Sequence, residues 1–366
     1  MNQSSNPFKN TRIEFHILQS FPVSCLNRDD IGSPKTAIVG GVMRARVSSQ
    51  CWKRQVRLVM NQLGAVLGFR TKLLCELVSE ACEAEGANKK QALNCGKKVQ
   101  SIFIKKEEDE KDESNDSLIF LSPNEIKAIA VDLKACDFDP DKALTQKDPK
   151  KRVQELEKLI FKHTSAEVDA LDVALFGRMI AQAAKMNVEA AASFAHAIST
   201  HKVNNEIEFF SALDDRNEKP GAAHLGSLEY NSATYYRYIS LDLGQLWTSL
   251  KEMKISTALE IFVKALYLAV PNARQATMSA ASQWDYAKVF IRKGQRLQLS
   301  FEKPVKSKDG GYLESSIETL TTELSIREKR AGSLFAKEVE WTYGEGTFSI
   351  DDLIDVLKQY VQKVES

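Results

Sequence analysis

Eight basic side chains and no acidic one lie between Ile31 and Cys75: Lys35, Arg44, Arg46, Lys53, Arg54, Arg57, Arg70 and Lys72. The chain as a whole is almost neutral, with 50 Lys and Arg against 49 Asp and Glu. Outside that window the balance is 42 bases to 49 acids, a net negative remainder. Charge segregated in this way repels itself unless a partner needs it. The chemistry it suits is binding of a polyanion, because each Lys or Arg placed on a phosphate releases condensed counterions. The plain alternative is a solvated basic face on one helix and one hairpin.

Other chemistries have less to work with. The five histidines, His16, His163, His196, His201 and His224, form no HExxH or other ligand spacing and suit structural roles. Asp29-Asp30 and Asp214-Asp215 could hold a metal ion, but turns and caps suit such pairs better. Gly40-Gly41 lacks the lysine and spacing of a phosphate loop, so no cofactor is implied. The six cysteines show no CxxC, which fits free thiols in a reducing cytoplasm and no metal centre.

The elements that position the basic residues can be read from periodicity. Arg12 to Gln19 alternates, with Ile13, Phe15 and Ile17 on one face and Arg12, Glu14 and His16 on the other, which predicts a half-buried strand. Ser24 to Asp30 is a polar loop. Thr36 to Val39, the Gly40-Gly41 turn and Arg44 to Val47 predict a hairpin. Ser48 or Ser49 caps a helix reaching about Leu67, with Trp52, Val56, Val59, Leu63 and Val66 as its apolar stripe. Lys53 and Arg57 stand four apart and share a face; with Arg54 they place bases near the helix start, where an anion would be favoured.

Residues ~70 to ~165 read as a mostly helical, polar insertion with its own small core. It contains the charged run from Lys105 to Asp116, a capping box at Ser122-Pro123-Asn124-Glu125, and a helix over Lys150 to Lys162. Strand-like alternation resumes at Leu171 to Met179, Ala191 to Thr200, Glu206 to Asp215 and Ser227 to Leu241, after a break at Lys219-Pro220-Gly221. A helix follows at Ser256 to Ala269. Trp284 to Ile291 and Arg296 to Phe301 look like a hairpin, and a last helix starts near Ser349. Strands interrupted by helices, with a helical block inserted early, predict an α+β fold. No apolar run approaches the ~20 residues of a membrane span, and the polar start MNQSSNPFKN has no signal core.

Six motifs stand in order along the chain: SCLNRDD at 24–30, GGxxRxRxSSQxxKR at 40–54, ALFGRM at 174–179, AHAISTHxVxNxIxxFxAxDD at 195–215, AHLGxxEYNS at 223–232 and YRY at 236–238. Together they resemble the CasC family, the backbone subunit of the type I-E CRISPR Cascade complex. The likeness runs from about Ile13 to Leu246. It implies a modified RRM-like, ferredoxin-like palm (1–67 and 171–366), a helical finger insertion (68–170) and a thumb (about 202–229). It also implies a non-catalytic, cytoplasmic protein that polymerises along a CRISPR RNA. Its partners would be that RNA, target DNA paired through the guide, copies of itself and other Cascade subunits, with no membrane.

By this resemblance Arg28, Arg44, Arg46, Lys53, Arg54 and Arg57 would contact phosphate, and Ser48, Ser49 and Gln50 would add neutral hydrogen bonds. Arg28 has a competing partner in Asp29 or Asp30. Phe209, Phe210, Leu213 and Leu225 of the thumb, with Met179 from the fingers, would wedge into the RNA–DNA hybrid. Consecutive residues face opposite ways, so one of Phe209 and Phe210 would be core. Lys150 and Lys151 match lysines that face incoming DNA, although Gln154 and Glu157 replace later basic positions. Two other functions stay open: a relative that cleaves RNA with Mg²⁺ at Asp29 or Asp30, and a stand-alone RRM-like RNA binder.

Overall fold

A strand with Glu14 and His16 on one face ought to leave that face wet, but here it does not. The computed structural model describes residues 6–103, 118–146, 148–160, 162, 167–180, 184–213, 222–250 and 253–365. In it β1 (Thr11–Ser24) is buried on both faces, Glu14 and His16 included. The expected half-buried strand is therefore a central one.

After β1 come β2 (Thr36–Val39), β3 (Val42–Val47), α1 (Ser49–Gln62) and β4 (Phe69–Thr71). A helical stretch follows: α2 (Leu74–Ala84), α3 (Lys89–Phe103), β5 (Ile119–Leu121), α4 (Pro123–Lys134), α5 (Pro140–Ala143), α6 (Pro149–Ile160) and α7 (Leu171–Phe176). Strands return as β6 (Ala192–Phe194), β7 (Ala197–Ser199), β8 (Glu206–Leu213) and β9 (Ala222–Asp242). The chain ends with α8 (Leu243–Ser249), α9 (Ile255–Leu268), α10 (Gln275–Met278), β10 (Tyr286–Lys293), α11 (Leu313–Ala331), β11 (Lys337–Tyr343) and α12 (Ile350–Glu365). The fold is α+β. The run from Lys105 to Asp116 and Lys219-Pro220-Gly221 lie outside the described residues. Among those described, no helix is long and apolar enough to cross a membrane.

The chain divides into two compact units. One holds residues 7–63, 192–243 and 259–366. Its antiparallel sheet runs β11-β10-β1-β9-β7-β3-β2, with β6 and β8 also paired to β9. β10 pairs with β1 on one edge and β11 on the other, Ile13 facing Ile291 and Val289 facing Trp341. Both edges being taken, Arg296 to Phe301 cannot form the hairpin arm that the sequence suggests. It crosses the sheet face as an irregular segment. The Leu297 amide donates to Glu14 Oε1 (2.8 Å) and the Leu299 amide to the Tyr236 hydroxyl (3.2 Å). Leu299 and Phe301 are buried beneath it.

Glu14 is the centre of this polar core. Tyr238 donates to one of its oxygens and Arg292 to the other. Arg292 also donates through Nε to the Phe335 carbonyl (2.8 Å) and lies over the Phe335 ring. A buried carboxylate is tolerable when its lone pairs are met in this way. His16, beside it, shares a hydrogen bond with the Tyr236 hydroxyl (2.9 Å).

The other unit holds residues within 64–191 and 244–258, with Asn6. Helices α2, α3, α4 and α6 enclose a core of Leu74, Val78, Val99, Ile129, Leu133 and Ile160. Gly96 lets α3 approach α2, since a Cβ there would sit 2.3 Å from the Cys75 carbonyl. The capping box is formed: Ser122 Oγ accepts from Glu125 N, and Glu125 Oε2 accepts from Ser122 N. Leu171 to Phe176, expected as a strand, is the short helix α7. Its first five residues are all buried, so no wet face reveals the period. Gly177, at φ +74°, ends it.

Burial holds His16 down to about 3, with the charge of Arg292 a smaller cause. The folded state thus keeps it neutral while the unfolded chain takes a proton below about 6.5. Stability is full above that pH and falls as the pH drops toward 3, by roughly 1.4 kcal/mol per pH unit. Denaturant titrations of wild type and His16→Gln across pH 4 to 7 should show the smaller pH slope in the variant; equal slopes would contradict the buried neutral imidazole.

Candidate nucleic-acid interface

The basic face is built by a hairpin that feeds directly into a helix. β2 and β3 are joined by Gly40-Gly41, both at positive φ (60° and 76°), as a two-residue turn of this twist requires. Gly40 has a second reason: a Cβ there would lie 1.9 Å from the Glu302 carbonyl oxygen. β3 ends at Val47 and Ser48 caps α1, its hydroxyl accepting from the Cys51 amide (3.2 Å). Trp52, Val56 and Met60 face inward at four-residue spacing. α1 stops at Leu63, short of the expected Leu67, because Gly64 takes φ +82°. Leu63 and Val66 are consequently exposed.

Arg44 is not on this face. Its guanidinium is fully buried and donates to the carbonyls of Ser199 (2.7 Å), Phe301 (2.9 Å) and Glu302 (3.1 Å). The expectation of a phosphate contact is corrected: the segment carrying Phe301 and Glu302 covers residue 44, where a guanidinium survives by satisfying carbonyls. Arg46, two residues on, is half-buried. It donates to the Thr36 carbonyl (3.2 Å) and meets His196 Nδ1 (3.1 Å). Burial, then the charges of Arg46 and Lys35, hold His196 below the usual histidine range.

Arg54 and Gln50 are exposed on α1, and Ser49, Lys53 and Arg57 are half-buried. The helix begins at Ser49, so Lys53 and Arg54 fall in its second turn and the first turn carries no charge. The bases expected near the helix start thus lie one turn further in, where the helix dipole lends them no argument. Ser48 is buried and occupied as a cap, which leaves the half-buried Ser49 and the exposed Gln50 as the neutral donors. Arg28 is exposed on the preceding loop. Its neighbour Asp29 accepts from the amides of Ile31 (3.1 Å) and Ser33 (2.9 Å), closing that loop. Asp30 is exposed, and Asp214 and Asp215 lie outside the described residues. Among those described, no three His, Cys, Asp or Glu side chains converge as a metal site would need.

β8 pairs with the first half of β9 as a two-stranded ribbon. Phe209 and Phe210 point to opposite faces, but neither is core: Phe209 is 80% exposed and Phe210 44%. Phe210 faces Gly226 across the ribbon, where a Cβ would come within 2.5 Å of its ring. Glycine makes the seat for that ring. The expected core phenylalanine is thus overturned, since among the described residues nothing covers either face of β8 enough to bury one. The backbones of Leu213 and Leu225 pair with Ala222 and Ser211; their side chains lie outside the described residues.

Met179 and the two lysines belong to the other unit. Met179 is 87% exposed on the loop after α7. Lys151 is exposed in the first turn of α6, its amide capped by Asp148 Oδ1 (3.0 Å), and the side chain of Lys150 lies outside the described residues. Two neighbours of these residues are brought in from far along the chain. His196 joins Arg46 only through the pairing of β3 with β7. Arg274, in left-handed backbone at φ +59°, lies near Cys25, whose thiol burial pushes up against the opposing charge of Arg274. Neither carries a local signal.

Residues 13–353 match the family model described as CT1975-like protein. No curated protein matches. Among solved structures, the chain is similar to a chain of a "CRISPR RNA-guided surveillance complex, pre-nicking". The TM-score is 0.75 at 25% identity, over 96% of this chain and 100% of that one. It is also similar in fold to a chain of a "CRISPR RNA-guided surveillance complex", with TM-score 0.63 at 22% identity, over 95% and 99%. The α+β fold with its antiparallel sheet is of the RRM-like palm kind expected from the sequence.

Arg44→Met tests its assignment as a strut. Each hydrogen bond from a charged group contributes about 1.5–3 kcal/mol net. The variant should lose roughly 3 kcal/mol of unfolding free energy by denaturant titration, with the salt dependence of RNA binding unchanged. A changed salt slope at unchanged stability would return Arg44 to the phosphate set.

Proposed function

We propose that this chain, which belongs to the CT1975-like protein family, is a non-catalytic, guide-RNA-binding backbone subunit of a CRISPR surveillance complex. The observation that carries the reading is its end-to-end likeness to a chain of an RNA-guided complex. The acid-free basic window gives that likeness a physical counterpart. A guide of variable sequence must be gripped through its phosphates, and sequence is then read by base pairing. Arg28, Arg46, Lys53, Arg54 and Arg57 are the cations for this, with Ser49 and Gln50 as neutral donors.

Within that class we assign the type I-E arrangement, a cytoplasmic protein working with copies of itself and other Cascade subunits. Residues 68–170 would be the fingers and 202–229 the thumb. The exposed Phe209, Phe210 and Met179 would meet the RNA–DNA hybrid as apolar wedges, and Lys150 and Lys151 would face target DNA. Asp29 already commits its carboxylate to two backbone amides, which favours a scaffold over RNA cleavage. Metal-dependent periodic cuts in paired RNA would reverse that preference.

Lys53→Ala with Arg54→Ala should weaken guide binding whatever its sequence. The slope of log affinity on log salt should fall by about 0.7 for each phosphate of a single strand that is no longer neutralised. Binding titrations between 50 and 300 mM salt measure it, and an unchanged slope would remove these residues from the interface.

A basic face this short spans few nucleotides; single-strand modules cover about 4–16 each. Head-to-tail addition whose rotation does not close gives a helical filament. Guides of increasing length should therefore recruit copies in proportion, as native mass measurement would read. A fixed oligomer that forms without RNA would exclude this assembly.

A further inference from the structure

Met179 is exposed, yet the backbone on both sides of it is held by hydrogen bonds. On one side Gly177 stands at φ +74°, with the Val188 carbonyl and the Ala190 amide closed around it; a Cβ there would come within 2.9 Å of both. Next, Arg178 is buried. Its backbone exchanges two hydrogen bonds with Val188, at 2.9 and 3.0 Å. Its guanidinium forks onto Glu125, at 2.6 and 2.7 Å, and donates to the carbonyls of Phe120 (2.9 Å) and Met186. On the other side the Ile180 amide donates to Asn187 Oδ1 (2.6 Å). Glu125 is itself fixed, since the same carboxylate closes the capping box of α4.

A buried ion pair is a poor way to gain stability, because a hydrophobic pair of equal volume often serves as well. Its two-pronged geometry does set direction. Here it sets the direction of one residue, an unbranched thioether with three rotatable bonds. Such a side chain can press on a flat apolar surface at low entropic cost only if its backbone is already fixed. We infer that Arg178 is the positioning residue of Met179, and that the Glu125–Arg178 pair and Asn187 together hold the loop so that Met179 stands against a nucleobase face. The inference rests on the reading of Met179 as a wedge into the guide–target hybrid.

The test uses the full chain assembled on guide RNA, with 2-aminopurine placed along the complementary target strand to report unstacking. Met179→Ala should weaken target binding about tenfold and reduce the fluorescence gain, with guide binding unchanged. Asn187→Ala, at an exposed position, should leave the melting temperature unchanged and reproduce most of that loss. Arg178→Lys keeps the charge and removes the fork; it should do the same even if the fold is weakened. The double variant Asn187→Ala/Met179→Ala should be no worse than Met179→Ala alone, because the anchor acts through the methionine. Normal target binding in Asn187→Ala and Arg178→Lys, or losses that add to that of Met179→Ala, would make the anchor merely structural and overturn the inference alone. A silent Met179→Ala would overturn the wedge reading and the inference together.

Discussion

A carboxylate in the middle of a sheet is the constraint from which the rest of the basic face follows. Glu14 is fully buried, and its oxygens are met by Tyr238, Arg292 and the Leu297 amide. That last bond pulls the segment after β10 across the sheet instead of along its edge. The Leu299 amide adds a second tie on the Tyr236 hydroxyl. The segment then presents the carbonyls of Phe301 and Glu302 to Arg44, and Glu302 closes over Gly40. Arg44 lies on β3, and β3 leads without a loop into the cap of α1. The position of the exposed cations thus depends, step by step, on an acid that no solvent reaches.

Within this arrangement the arginines divide by what surrounds them. Arg44 and Arg292 sit in low dielectric and are held there by backbone carbonyls and a carboxylate. Arg237 is buried too, stacked 3.6 Å over Trp52 and bonded to Gln19, and burial pulls it down to about 9. Arg54 and Arg28 stay in water, where attraction to a polyanion is long-ranged and screened by salt. Identical side chains therefore end as buried struts or as solvated charges according to depth.

The ribbon of β8 and β9 follows the opposite logic. A two-stranded ribbon is marginal by itself, and this one exposes Ile207, Phe209 and Phe210. Apolar groups held in water on so thin a support are stabilised by a partner surface that covers them. The Met179 loop keeps its apolar tip exposed differently, by sinking both flanks into hydrogen bonds.

Elements whose signals are local could be read from the chain without its fold. The Gly40-Gly41 hairpin, the Ser48 cap, the Ser122–Glu125 capping box and the long β9 all stand where spacing and residue type put them. The basic window was equally legible, because charge segregation needs no fold to be seen. Burial was not legible. Glu14 and His16 read as a wet face, and only flanking strands and a crossing segment made them core. Arg44 and Arg46 look alike in the chain, yet packing sends one inward and leaves the other toward the surface. The Arg296 to Phe301 segment alternates like a strand but found both edges of β10 occupied. Leu171 to Phe176 is apolar throughout most of its length, so its period was hidden, and packing chose a helix. Local chemistry fixes where hydrogen bonds start and stop, whereas the depth of a charge depends on residues far away along the chain.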